Sequence, residues 1–404
     1  MPRTHSRPGF TLVFLREAAQ FRKQPFLPFL TVVLPLALMG VLTVVFSQGI
    51  ATRLPIAVLN LDGSDLSRTI FRTVDATPDA AIVTNVSDLN EGRHLILSGK
   101  VHGLLMIPKY LERDVFAGRR PEVVFFYNTQ TMTTGNLTLR GVNAALSSVE
   151  GNIRLSLRTA RGQPIDIARS SLAPIPVQVN PLFNPTQNYT HFLLAALLPT
   201  ILQIVIVTVM AYSIGRDAET EHRFRILRRL GGGIWPAMLG KMLPYTLVFL
   251  FVLGIADAVL FLVFELPLRG DRALFLGAGI LFIVANQFFG ALLALILRPM
   301  ATAVSIGTLI TAPAFGFMGI GFPRIGMNAF SSYWGNALPG TWYLTARIDQ
   351  TIRGAPVDLS VRPIAVLLFM AVFLASITAL RLDAIGRKAQ AEKNSLSAVT
   401  GVSA

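Results

Sequence analysis

FLLAALLPTILQIVIVTVMAYSI, residues 192–214, is followed by GRDAETEHRFRILRRLGGGIWPAMLGK, residues 215–241. The first string holds 23 residues and no acid, base or histidine. A helix needs about 20 apolar residues to cross the ~30 Å hydrocarbon core of a bilayer, so this string reads as a membrane span. The second string is its polar opposite. Asp217, Glu219 and Glu221 come first, and Arg223, Arg225, Arg228 and Arg229 follow. That order complements the dipole of a helix at both ends. Glu219–Arg223 and Glu221–Arg225 have the favourable i,i+4 orientation, while Phe224, Leu227 and Leu230 recur on one side. Gly231, Gly232 and Gly233 then stop the helix, and Trp235-Pro236 begins the approach to the next apolar run. Two readings of this loop stand side by side: an amphipathic helix on anionic headgroups, or a docking helix for a partner.

Five further stretches repeat the apolar pattern. With the first, the spans run over Phe26–Ser47, Phe192–Ile214, Met242–Phe264, Ala273–Leu297, Met300–Phe322 and Ile364–Leu380, the last short and bounded by Pro363. Asp257 is the one acid inside them. A charge at mid-bilayer costs about 2.5–3.5 kcal/mol on insertion scales, so this near-absence is informative. The first stretch exceeds the ~7–15 residues of a signal-peptide core and reads as a retained span. Whole-chain composition agrees. Of 404 residues 14% are charged, against about 25% in soluble domains, and the mean hydropathy is +0.56. The absence of cysteine excludes a disulfide scaffold, thiol catalysis and Cys-ligated metal. His5, His94, His102, His191 and His222 form no HExxH or triad pattern, and no GxSxG occurs.

Placing the 36 Lys and Arg explains the net charge of +14. One side collects Arg3, Arg7, Arg16, Arg22, Lys23, then Arg216, Arg223, Arg225, Arg228, Arg229, Lys241, then Arg298, and finally Arg381, Arg387, Lys388, Lys393. The short loops of the other side hold Arg269, Arg272, Arg324, Arg347, Arg353 and Arg362. The positive-inside rule puts both termini in the cytoplasm. The basic pI is therefore topological and does not mark a nucleic-acid partner. The remaining fourteen bases, with eleven acids, lie between Ala51 and Tyr189.

That long segment alternates strand-like and helix-like runs. IAVLNLD (56–62), AAIVTNV (80–86), VHGLLMIP (101–108) and EVVFFYNT (122–129) read as strands. Helical runs open at Ser64-Asp65, Ser87-Asp88 and Lys109, and a longer one covers Thr134–Arg161. A small α/β domain follows from this alternation. The N-terminal FTLVFLREAAQFRKQP (10–25) reads as an interfacial elbow helix. The expected fold class is thus an α-helical integral membrane protein with six transmembrane helices and a small α/β extracytoplasmic domain between helices one and two. Its parts are an elbow (1–25), helix one (26–47), the periplasmic domain (48–190), a five-helix membrane domain (191–382) carrying the 215–241 loop, and a tail (383–404).

Polar residues inside the spans have two readings. At ~1.5 Å per residue Gln203 lies about 16 Å into span two, Asn286 about 20 Å into span four, and Asp257 about 22 Å into span three. They can line a substrate path, as intramembrane polar groups do, or hydrogen-bond between helices at about 0.6–2 kcal/mol each. The second reading is preferred for Gln203, Asn286 and Gln287, and Asp257 is open between the two. Tyr333, Trp334, Trp342 and Tyr343 suit an aromatic belt at the outer interface.

The order of these parts resembles the permease subunit of type-2 ABC exporters. The resemblance rests on RDAETEHRFRILRRL…LGK, on SGKVHGLLMIPKYLERDVFAG (98–118), on FNPTQNYTHF (183–192), and on GFMGIGFP (316–323) followed by NALPGTWYLTARIDQTIRG (336–354). The RDAETE run and the Gly-Gly-Gly triplet depart from the commoner family pattern. The resemblance implies a dimer with a second permease copy or paralogue, a separate ABC ATPase subunit carrying ATP and Mg, and an inner-membrane location. A periplasmic adaptor fits the same scheme, and this chain binds no cofactor of its own. It also implies that Asp217, Glu219, Glu221, Arg223, Phe224, Arg225, Leu227 and Arg228 couple to the ATPase. The residues agree in one respect: no GxxxxGK[ST] phosphate loop is present. The competing reading is a membrane-anchored receptor or assembly scaffold that binds a ligand or partner through the 48–190 segment.

Overall fold

The computed structural model describes residues 8–170, 182–185 and 187–401, with backbone alone for 168–170, 221, 222, 224 and 388–401. It separates into two units: Met1–Gly49 with Pro181–Ala404, and Ile50–Asn180.

The larger unit begins with α1 (Phe10–Lys23) and α2 (Phe26–Val45), the latter carrying a π-helical turn over Phe29–Val33. α2 is broadly apolar on its exposed face, where Phe29, Val33, Val41 and Val44 stand free. Such a surface suits hydrocarbon, which asks for no polar partner.

The smaller unit follows in sequence: β1 (Leu54–Asn60), α3 (Asp65–Asp75), β2 (Ala80–Asn85), α4 (Leu89–Leu97), β3 (Gly103–Ile107), α5 (Leu111–Phe116), β4 (Val124–Tyr127), α6 (Met132–Ala160) and α7 (Ile165–Ser170). The sheet order is β2-β1-β3-β4, with β1 parallel to both neighbours and β4 antiparallel to β3. Caps define the helix starts. Ser64 Oγ accepts from the Ser67 N–H (3.2 Å), and Asp88 Oδ1 from the Glu91 N–H (2.8 Å). Side chains alternate across the sheet. Ile56, Val58, Leu105 and Ile107 meet Ile70 and Val74 of α3 and Val142, Ala145 and Val149 of α6. Ala57, Leu59 and Leu104 form the second core with Val86 and Val101 under α4. Each such fully buried aliphatic contributes about 1.5–3 kcal/mol. A bidentate pair, Asp79 with Arg140 (2.8 and 2.6 Å), ties the start of β2 to α6, and this hydrogen bonding raises the Arg140 pKa further.

The larger unit resumes with α8 (Thr190–Ala218), α9 (Glu221–Gly231), α10 (Ile234–Val263), α11 (Arg272–Ile296), α12 (Met300–Phe317), α13 (Ala329–Ala337), α14 (Pro339–Ile348) and α15 (Val357–Gly401). Six helices are long and apolar enough to cross a membrane: α2, α8, α10, α11, α12 and α15. α8 and α11 are the centre, with 67% and 61% of their apolar windows buried, against 17–33% for the other four. They approach closely at Gly290, where a Cβ would stand 2.5 Å from the Val207 carbonyl oxygen. Only glycine permits that contact.

Several span boundaries differ from the sequence reading. Span two runs on to Ala218 past the expected Ile214, and span three begins at Ile234, inside the expected loop, instead of at Met242. Span five was expected to reach Phe322, but Pro313 breaks α12 and the helix ends at Phe317, just before the left-handed Gly319 (φ 93°). Span six was expected to start after Pro363. Instead α15 begins at Val357 with Pro363 inside it, and its backbone continues helical through Gly401. Proline lacks the N–H that would bond back to residue 359, a loss a long apolar helix tolerates near its start.

Candidate functional site

The 215–241 segment is a helical hairpin with a short cross-piece. α8 runs on through Ala218, so Asp217 belongs to span two and not to the separate helix. Thr220 is extended (φ −117°, ψ 116°) and breaks the chain direction before α9. Gly232 closes α9 in the left-handed region (φ 67°), the usual position for a C-terminal glycine. The Glu219–Arg223 pair expected from i,i+4 spacing is therefore not formed, because the break falls between the two residues. Glu219 Oε1 instead accepts the Met300 N–H (2.9 Å), capping the start of α12. Glu221 and Phe224 have side chains outside the described residues.

α9 is two-faced. Leu227 is buried with Val13 of α1 and Ala237 of α10, and Leu230 packs beside them. The Leu230 carbonyl accepts the Gly9 N–H (2.8 Å), fixing the start of α1 against the end of α9. Gly240 allows α1 to lie on α10, since a Cβ there would meet the Phe10 carbonyl at 2.7 Å. With this apolar face occupied by protein, Arg223, Arg225, Arg228 and Arg229 are left exposed. Leu227 and Leu230 thus face protein, Ile226 is exposed beside the arginines, and an exposed basic face remains.

Beneath α9 lies a four-charge cluster that the sequence reading did not assemble. Lys241 Nζ sits 2.8 Å from Asp217 Oδ2 and 3.1 Å from Glu17 Oε1. Arg16 reaches Asp217 at 3.4 Å and Glu17 at 3.5 Å. The Lys241 and Glu17 side chains are fully buried and that of Asp217 is 3% exposed. Two acids and two bases from α1, α8 and α10 thus neutralise one another. Removing one member of such a buried set costs about 3–5 kcal/mol, because it strands the opposite charge. Arg216 extends the seam by donating to Gln20 and Gln24 of the α1 segment. The sequence signals were an acid, Glu17, among the bases of the elbow helix, and a lysine at the start of an apolar span.

A second buried ion pair sits about 24 Å further along α10, sixteen residues on at ~1.5 Å each. Asp257 Oδ1 accepts from Arg347, which is 1% exposed and also donates to the Tyr343 hydroxyl (3.0 Å). The Arg347 guanidinium lies 5.2 Å from the Phe275 ring, and Tyr343 stacks on Phe282 at 4.4 Å. Arg347 was counted as a loop base and Tyr343 as an interfacial aromatic; both instead lie in α14, which is buried in the bundle. Seven residues of that helix are buried. The Arg347 guanidinium enters the interior with Asp257 and Tyr343 as partners, while its Nε and the Thr341 hydroxyl have no hydrogen-bond partner among the described residues.

Of the other polar candidates Gln203 and Gln287 join helices, whereas the interhelical bond expected of Asn286 is not seen among the described residues. The Gly340 N–H donates to Gln203 Oε1 (2.7 Å), joining α8 to the start of α14. Thr246 donates to Gln287 Oε1 (2.9 Å), and Gln287 Nε2 donates to the Met242 carbonyl (3.3 Å), joining α10 to α11. Asn286 Nδ2 donates to the Phe282 carbonyl within its own helix (2.8 Å). All three side chains are fully buried. Among the described residues no cluster of three or more metal-ligating side chains occurs.

Six membrane-length helices, a charged cross-piece between the second and third, and a sheet-bearing unit between the first and second define a multi-pass membrane protein of transporter type. Residues 25–380 match the family model described as ABC-2 family transporter protein, and the chain belongs to that family. No curated protein matches it. The membership makes the chain a membrane component of an ABC transporter, a class that works with an ATPase subunit.

Proposed function

We propose that the chain is the membrane-spanning permease subunit of an ATP-driven exporter, building the translocation path as a dimer with a second copy or a paralogue. ATP and Mg are handled on a partner ATPase. The observation that carries this reading is α9: a short helix with an outward basic face, mounted on α1 and on the ends of spans two and three. A push on that helix is delivered to α8 and α10 together through Asp217 and Lys241. The exposed Arg223, Arg225 and Arg228 do the docking; Asp217 transmits from beneath, Leu227 seats the helix, and Glu219 passes the displacement to α12. The distribution of Lys and Arg supports cytoplasmic termini and an inner-membrane setting with the Ile50–Asn180 unit outside, where a periplasmic adaptor could reach it. The test is Arg223→Glu with Arg225→Glu in the complex with its ATPase. The expected outcome is loss of ATPase co-purification, or loss of transport-coupled hydrolysis at equal membrane abundance; unchanged assembly and export would refute the docking role.

A further inference from the structure

The sheet-bearing unit contains an open cleft of about 450 Å³ lined by Asn60, Arg68, Phe71, Arg72, Asn85 and Val86. It lies at the carboxyl ends of the parallel strands β1 and β2, where Asn60 and Asn85 are the last residues. In open parallel sheets that edge is where ligands are bound, because strand ends and following loops converge there.

Three local features set this cleft apart from an ordinary surface dent. First, the β1–β2 register slips between Ile56↔Ile82 and Ala57↔Thr84, so Val83 is an extra residue in β2. A bulge of this kind re-aims the side chains beyond it, here Asn85. Among the described residues the Asn85 amide side chain makes no hydrogen bond. Second, Arg68 and Arg72 stand one turn apart on the exposed side of α3, with the half-buried Phe71 beside them. Like charges at this spacing oppose one another by about 0.2–0.5 kcal/mol, a cost that a bound anion removes. Third, the two arginines are differently engaged. Arg68 donates to the Gly63 carbonyl (2.7 Å) and to Asp65 (2.6 Å), which holds the Asp65 carboxyl below the usual carboxylate range. Arg72 makes no salt bridge or side-chain hydrogen bond among the described residues, so its fork is available. The neighbouring acid on α3, Asp75, is turned away, accepting the Ile82 N–H at 2.9 Å. Asn60 is used locally: its Oδ1 takes the Asp62 and Gly63 N–H groups (both 3.1 Å), which shapes the rim.

We propose that this cleft binds a small organic anion, a carboxylate or phosphate monoester with a flat apolar body. The head group pairs with Arg72 and Arg68 and takes a hydrogen bond from the Asn85 amide. The body lies on Phe71 and Val86, which form the apolar floor. Bidentate arginine pairing suits both head groups, since each offers two oxygens in the spacing of the guanidinium fork. The site is independent of the transport reading, because every residue in it belongs to the Ile50–Asn180 unit.

The full chain in phosphatidylcholine nanodiscs is titrated with 1-naphthyl phosphate and with 1-naphthoate, and bound ligand is measured by equilibrium dialysis. At least one of the two is expected to saturate at one per chain. Inorganic phosphate, which lacks the body, and 1-naphthol, which lacks the head, are expected to bind more than about tenfold more weakly, as loss of a charge-assisted hydrogen bond or of apolar burial predicts. Arg72→Gln is expected to weaken the bound probe by about tenfold or more, and Arg72→Lys by less, because it keeps the charge without the fork. Arg154→Gln removes the same charge elsewhere in the unit and is expected to leave binding unchanged. The proposal is overturned by any of three results: no saturable uptake of either probe, 1-naphthol uptake equal to that of the anions, or an Arg72→Gln chain of unchanged thermal midpoint that binds as well as the parent.

Discussion

Lys241 faces Asp217 and Glu17 with no water-exposed surface of its own, so its charge is held in place by two carboxylates and nothing else. Lys241→Met leaves those acids buried and like-charged. We expect it to destabilise the chain by about 3–5 kcal/mol, read as a lower thermal midpoint in nanodiscs. Adding Glu17→Gln to Lys241→Met is expected to recover most of that loss, since Asp217 then remains paired with Arg16 and the cluster is neutral again. Asp257→Asn makes the parallel case at the other pair. Arg347 keeps its Tyr343 contact but loses its counter-charge, so the midpoint falls, and Arg347→Gln in the same chain restores part of it. The same variants, assayed for export at equal abundance, separate a structural pair from a path-lining one. A chain with Asp257→Asn and Arg347→Gln that exports normally removes Asp257 from the path.

At the scale of elements, the sequence was most legible where composition alone decides. The apolar runs found the six long helices, and the alternation of strand and helix patterns found the four strands within two or three residues. What it missed was contextual. α14 carries Arg347, Thr341 and Tyr343, residue types that read as loop or interface, and its burial depends on an acid 90 residues earlier. The ion cluster under α9 was invisible for the same reason: its members are spread from Arg16 to Lys241, and no spacing rule links them. Asp217 and Glu219 were grouped with the docking helix because their charges fit its dipole, whereas the chain break at Thr220 gives them to span two and to the cap of span five. Packing between elements offers its own test. Gly290→Ala pushes a methyl group toward the Val207 carbonyl and is expected to cost about 1–3 kcal/mol. The measurement is the thermal midpoint, with Gly277→Ala, which meets open space in the same helix, as the control expected to change little.

For the whole molecule, the absence of cysteine makes topology directly measurable. Single cysteines at Ser98, in the sheet-bearing unit, and at Ser397, near the C-terminus, are expected to react from opposite sides of the membrane with an impermeant maleimide in intact cells. Labelling of both from the same side would overturn the assigned orientation and the exporter scheme built on it. The charge cluster also bears on how the chain is made. Glu17 is synthesised 224 residues before Lys241, and Asp217 follows it after the first span and the entire sheet-bearing unit have been produced. Until span three arrives, the elbow helix and span two hold carboxylates whose only basic neighbour in the cluster is Arg16. All four members of the cluster are made before spans four, five and six, so the charge pairing that fixes the elbow helix against spans two and three needs nothing from the later half of the membrane domain.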